Sequence, residues 1–192
     1  SGGSTAIGGV MGRYWPETDT KHVINIEECL NADSVVGKLQ NVGGIVGQGD
    51  KYSLRVERCV NIGSVSNVNA KLAAGTPGAG GIVGGGIPVI NNCFNAGVIS
   101  GINRIAGIAG YVKAYNTLKN CANFADLEPK GMRNGGIAGE VSATVSGSDP
   151  YAMFENCYNT GAISCNGYVA GIAGYLSTAG THFSGCFNAG HI

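Results

Sequence analysis

The sequence predicts an all-β fold, a three-sided parallel β-helix of about six coils, and three observations predict it. First, a glycine-rich signature recurs six times: Ile7-Gly8-Gly9-Val10-Met11-Gly12, Val42-Gly43-Gly44-Ile45-Val46-Gly47, Ala79-Gly80-Gly81-Ile82-Val83-Gly84, Ile105-Ala106-Gly107-Ile108-Ala109-Gly110, Asn134-Gly135-Gly136-Ile137-Ala138-Gly139 and Val169-Ala170-Gly171-Ile172-Ala173-Gly174. Second, each signature is followed by Cys-x-Asn, at Cys29/Asn31, Cys59/Asn61, Cys93/Asn95, Cys121/Asn123, Cys157/Asn159 and Cys186/Asn188. Subtracting successive cysteine positions gives 30, 34, 28, 36 and 29, one period near thirty with insertions. Third, apolar residues keep fixed offsets from the cysteine: Ile26, Val56, Ile90, Leu118, Phe154 and Phe183 before it, and Val35, Val65, Ile99, Leu127, Ile163 and Ile192 after it. A period of twenty to fifty residues is the mark of a repeat architecture.

Each element of the unit has a physical reason. The apolar segments are too short for helices and mostly β-branched, which suits strands. Three such segments per period, stacked coil on coil, pair each strand with its counterpart roughly 4.8 Å along the axis, giving a column of roughly 30 Å. No coil buries its own apolar face, so stability is close to a sum of nearest-neighbour terms. The paired glycines fit corners and crowded positions where a Cβ clashes or φ must be positive. The Asn rank fits a turn, where Asn tolerates left-handed backbone and its amide can bond the Asn of the next coil. Gly follows two residues later at Gly63, Gly97, Gly161 and Gly190, with Asp33 and Ala125 in the other copies. A right-handed wind follows from the general bias of parallel crossovers.

The chain has 192 residues, with 12 basic against 12 acidic. The repeat runs end to end, so residues 1–192 read as one domain. Balanced charge argues against a grip on a phosphate backbone, so no nucleic-acid partner is expected. No apolar run is long enough to span a membrane as a helix. The seven cysteines are too far apart for paired metal ligands. In-register neighbours hold their Cβ atoms beyond the distance a disulfide prefers. The six ranked cysteines therefore read as a column of small buried thiols, with Cys165 outside the rank. No metal and no cofactor is expected.

Departures from the period mark loops. One runs over residues 12–28 and holds Tyr14 and Trp15, one over 67–76, and one over 142–153, ending near Tyr151. Loops are where recognition usually sits. Ser1-Gly2-Gly3-Ser4 reads as a linker or tag scar. The stop at Ile192, the final aliphatic position of copy six, reads as the cut end of a longer parent. The strand row left there invites edge-to-edge self-association.

The pattern Gly-Gly-Ile-x-Gly followed by Asn-Cys-x-Asn-x-Gly-x-Ile resembles the GLUG repeat, best in Asn92-Cys93-Phe94-Asn95-Ala96-Gly97-Val98-Ile99 and Asn156-Cys157-Tyr158-Asn159-Thr160-Gly161-Ala162-Ile163. That motif occurs in bacterial surface and secreted proteins, including the non-catalytic part of streptococcal IgA-specific metallopeptidases. The resemblance covers nearly the whole chain. It implies a bacterial, extracellular or cell-surface location, a role in architecture or adhesion beside other domains of a parent chain, and no catalytic residues. Copies one and four depart at Asp33 and Ala125. The zinc signature His-Glu-x-x-His is absent, so protease activity does not carry over.

Candidate sites are sparse. His22, His182 and His191 fall in different segments of distant copies, and no Gly-x-Ser-x-Gly elbow occurs. Ser148-Asp149 reads as a turn before Pro150. Polysaccharide lyases and glycoside hydrolases on β-helices need grouped carboxylates or carboxylate with Lys or Arg. The one charged column, Glu27-Glu28, Glu57-Arg58, Asn91-Asn92, Lys119-Asn120 and Glu155-Asn156, reads as a solvated face with Glu28 beside Arg58. Tyr14, Trp15 and Tyr151 are the binding candidates, since exposed aromatics stack on sugars or anchor protein partners. Trp15 can alternatively cap the first coil. The expected function is a non-catalytic structural or adhesive segment. The alternative is a module that binds host or cell-surface glycans or proteins through its inserted loops.

Overall fold

A computed structural model describes residues 6–15, 23–38, 41–49, 54–68, 78–86, 88–113, 116–142, 151–177 and 180–192. Among these every regular element is a β-strand. Strands from successive coils pair in parallel, and six coils stack into a β-solenoid. The three segments of the repeat are present, and two of them bend, so the first four coils contribute strands to five sheets and the last two to four.

The glycine signature supplies the first two. The first sheet runs Ala6–Gly8, Asn41–Gly43, Ala79–Gly80, Ile105–Ala106, Asn134–Gly135 and Val169–Ala170. The second runs Met11–Tyr14, Val46–Gly49, Val83–Gly86, Ala109–Lys113, Ala138–Ser142 and Ala173–Ser177. The residues before the cysteines make the third sheet: Ile24–Glu27, Leu54–Glu57, Val89–Asn91, Asn116–Lys119, Ala152–Glu155 and His182–Ser184. The fourth holds only x-Asn of each Cys-x-Asn: Leu30–Asn31, Val60–Asn61, Phe94–Asn95, Ala122–Asn123, Tyr158–Asn159 and Phe187–Asn188. The fifth, the branched aliphatic segment, runs Val35–Gly37, Val65–Asn67, Ile99–Gly101 and Leu127–Pro129, and a single bridge from Leu127 to Ile163 extends it.

The bend between the first two sheets folds the chain back on itself. A Cβ at Gly43 would strike the carbonyl of Val46, and one at Gly84 the backbone of Asn41, Val42 and Gly47. Close approach, of backbone at Gly43 and Gly84 and of the Asn123 side chain at Gly107, and not a positive φ, is why the signature is glycine; among the described residues the positive-φ glycines lie elsewhere, at Gly86, Gly101, Gly167, Gly180 and Gly185.

The second bend falls on the residue before each cysteine. Glu28, Arg58, Asn92, Asn120, Asn156 and Gly185 all take left-handed backbone, with φ between 50° and 62°. Left-handed geometry therefore belongs to this rank and not to the Asn after the cysteine. Those Asn residues are extended, because only a strand turns their amides inward.

The interior divides into two apolar columns. One, lined by the second, third and fourth sheets, contains Ile45, Val56, Ile82, Ile90, Ile108, Leu118, Ile137 and Phe154 with the cysteines. The other, between the first and fifth sheets, contains Val42, Val65, Ile99, Ile105, Leu127 and Ile163. Each fully buried Val, Leu, Ile or Phe contributes about 1.5–3 kcal/mol. The wall between the columns is polar. Asn31, Asn61, Asn95, Asn123, Asn159 and Asn188 form one row, each Nδ2 donating to Oδ1 of the next at 2.7–2.8 Å. The same Nδ2 donates to the backbone carbonyl two residues on, closing the turn at 2.7–2.9 Å. A buried amide left unpaired is costly, and the row removes that cost coil by coil. Asp33 and Ala125 keep the turn intact, since their carbonyls accept from Asn31 and Asn123 at 2.8 Å.

The six ranked cysteines also lie in register, carried by the strand pairings that follow them. Each thiol donates toward the carbonyl two residues earlier, at 3.2–3.5 Å. All seven cysteines are free. Burial, and then contact with Cys157, holds the Cys121 thiol well above its ordinary range.

Candidate interaction face

Outer-face chemistry follows from strand parity. In each Cys-x-Asn the Asn points inward, so x points outward. The x positions are in register: Leu30 over Val60, Val60 over Phe94, Phe94 over Ala122, Ala122 over Tyr158, Tyr158 over Phe187. Ala122 would leave a gap, and Phe124, two residues later, fills it. Its ring lies 6.3 Å from Phe94 and 5.6 Å from Tyr158, and Tyr158 stacks on Phe187 at 5.1 Å. Phe94, Phe124 and Phe187 are exposed, as are Leu30 and Ile62 at the other end of the stripe. Apolar side chains exposed in a row differ from the single scattered ones that any surface carries.

A polar rail borders the stripe along the left-handed bend. Arg58 reaches Glu27, Glu28 and Glu57 at 2.9, 3.0 and 3.2 Å, and its hydrogen bond to Glu28 leads the effects that raise its pKa. Asn120 donates to Asn92 at 3.0 Å, Asn156 to Asn120 at 3.3 Å, and Lys119 pairs with Glu155 at 3.1 Å. Exposed pairs of this kind contribute at most about 1 kcal/mol each. The rail gives the apolar strip a polar rim.

No protein-family model, curated protein or solved structure matches this chain.

The residues singled out in the sequence are not brought together. Tyr14 packs partly against the larger apolar column. Trp15 is 58% exposed, with the Arg13 guanidinium 4.4 Å over its ring. Tyr151 is exposed at the start of the fifth coil's third-sheet strand, four coils away, roughly 19 Å along the axis. His182 lies exposed on the last coil, His191 accepts Ile163 N–H through its backbone carbonyl at 2.9 Å, and His22 lies outside the described residues. So do Ser1-Gly2-Gly3-Ser4, Ser148-Asp149 and most of the three inserted loops. Cys165 is half-buried, accepting from Asn134 Nδ2 and donating to Gly131 O, both at 3.3 Å. Among the described residues no group of three metal-ligating side chains converges.

One hollow of about 370 Å³ lies on the outer face of the fifth sheet, lined by Ser66, Ser100, Glu128 and Lys130 among others. Its two serine hydroxyls bond each other at 3.0 Å. It holds a single carboxylate, where glycoside cleavage uses a pair.

Proposed function

We propose that this chain is a non-catalytic structural and adhesive repeat segment of a bacterial cell-surface or secreted protein, akin to the GLUG repeats, and that it makes contact through the fourth-sheet stripe. The observation that carries this reading is the unbroken aromatic row Phe94–Phe124–Tyr158–Phe187 on an outer face. A solenoid needs those positions for nothing in its core, since the same strands bury their Asn and Cys on the other side.

Ring orientation favours a protein partner on this face. Tyr158 and Phe187 lie 3° from parallel at 5.1 Å, so each covers a face of the other, while Phe124 meets Tyr158 at 76° and so occupies part of one face at the contact. A sugar stacks on an aromatic face, whereas an apolar protein surface packs against edges equally well. Neighbouring domains of the parent chain and host or cell-surface proteins are the partners this reading proposes.

The test is a protein and glycan array probed with the wild-type chain and with the Phe94→Ser/Phe124→Ser double variant, whose side chains are exposed and removable without disturbing the core. Protein ligands that bind wild type and are lost in the variant support the proposal. Glycan binding through the stripe, or protein binding indifferent to the variant, contradicts it.

A further inference from the structure

A second cluster of charged groups, built around a buried carboxylate, lies where the corner preceding the first sheet meets the outer face of the second. Tyr111, Glu140 and Tyr175 are consecutive rungs of the second sheet. Glu140 is only 4% exposed. Its Oε2 accepts from Arg104 Nε at 2.6 Å and from Arg133 Nη1 at 2.7 Å. Each guanidinium also lies over a ring, Arg104 4.5 Å from the centre of Tyr111 and Arg133 4.6 Å from that of Tyr175. Tyr168 extends the stack, 5.4 Å from Tyr175. Both arginines sit at equivalent corners in left-handed backbone, φ 55° and 67°, a conformation that L side chains adopt at a cost.

Two guanidinium groups meet one buried carboxylate at this corner, in a chain whose total charge is zero. Arg133 spends Nη1 on Glu140, and its Nε–Nη2 edge has no partner among the described residues. That edge is the fork that grips a planar carboxylate with two parallel hydrogen bonds. A third of the Arg133 side chain, 34%, is exposed, and Tyr168 beside it is 55% exposed. Glu140 and Tyr175 hold the guanidinium in place, so little ordering is lost on binding.

We infer that this corner binds a carboxylated sugar, the Arg133 fork taking the carboxylate and the Tyr168 ring carrying the apolar face of the pyranose. The ring beside the fork favours a sugar over an acidic peptide, because one uronate residue presents a carboxylate and a flat C–H face on the same rigid ring, whereas an Asp or Glu side chain presents the carboxylate alone. The site is separate from the aromatic stripe and stands or falls independently of it.

The experiment titrates the chain with tetragalacturonate and with sialyllactose, which distinguish a uronate from a sialic acid. The controls are carboxyl-reduced tetragalacturonate and hexaglutamate. The variants are Arg133→Gln, Tyr168→Ala and, as a stripe control, Phe124→Ser. The expected result is binding of at least one carboxylated sugar, loss of tenfold or more in affinity for Arg133→Gln and for Tyr168→Ala, and no change for Phe124→Ser. Because Tyr168 is exposed, its variant reports even if Arg133→Gln lowers stability. The inference is overturned if neither sugar binds, if the reduced sugar or hexaglutamate binds as well, or if affinity ignores Arg133 and Tyr168.

Discussion

The amide of Asn123 occupies the place where a side chain on Gly107 would begin. The same relation holds between Asn61 and Gly44, Asn95 and Gly81, Asn159 and Gly136, and Asn188 and Gly171. The second glycine of each signature and the Asn of each Cys-x-Asn are thus two halves of one contact. Together they make the wall that separates the apolar columns.

Gly107→Ala should destabilise the chain by about 1–3 kcal/mol, the usual cost of overpacking. Asn123→Gly, which removes the Cβ as well as the amide from the space a side chain at position 107 needs, should cost a comparable amount through the unpaired groups it leaves in the row. The double variant should fall short of the sum by about 0.5–3 kcal/mol, because each change relieves the other. Urea unfolding of the four proteins measures the cycle, and strict additivity would show that the contact is absent.

Position along the row sets the cost of breaking it. Within the row Asn95 accepts from Asn61 and donates to Asn123, while Asn188 bonds one neighbouring Asn, Asn159. Asn95→Ala should therefore lower stability by about 1–3 kcal/mol and Asn188→Ala by clearly less. Thermal melts of the two variants compare them directly.

Left-handed backbone before the cysteine is natural for Asn and Gly and strained for Arg58. Arg58→Ala and Arg58→Gly both forfeit the exposed pairs to Glu27, Glu28 and Glu57. Only the glycine variant releases the strain, so it should be the more stable of the two by about 1 kcal/mol. Equal melting temperatures would argue that this position is not left-handed in solution.

Thiol chemistry should follow the row. Cys59, Cys93, Cys121 and Cys157 are buried, so a thiol reagent should reach at most Cys29, Cys165 and Cys186 before unfolding and all seven after it. Burial raises Cys121, so the folded state keeps its proton where an unfolded thiol, of pKa about 8.5, loses it. Folded protein then binds more protons than unfolded, and the stability this group contributes is present below about pH 8.5 and declines above it. Cys121→Ala should flatten that alkaline decline, which pH-dependent melting measures.

The repeated offsets made the stacking legible in the sequence, because identical neighbours recur only when coils lie in register. Two features were hidden for physical reasons. The left-handed rank is occupied by Glu28, Arg58, Asn92, Asn120, Asn156 and Gly185, and no single residue type flags it. The crowding at Gly107 depends on Asn123, which lies on the opposite side of the coil and is invisible to local propensity. The aromatic stripe could have been found: with Cys and Asn both inward, parity alone turns Phe94, Tyr158 and Phe187 outward. Phe124 could not, since it enters the row only because Ala122 leaves room. The Arg104–Glu140–Arg133 cluster joins residues of different coils, and only the register of the second sheet brings them together.

The side-chain amides themselves give the most direct test of the internal polar wall. In amide-selective NMR, the NH₂ groups of Asn61, Asn95, Asn123 and Asn159 should exchange with solvent as slowly as core backbone amides. Each should also show a cross-relaxation contact to the amide of the Asn one coil away. Fast exchange of those four groups, or contacts only within a coil, would mean that the Asn residues face solvent at turns and that the two-column interior is wrong.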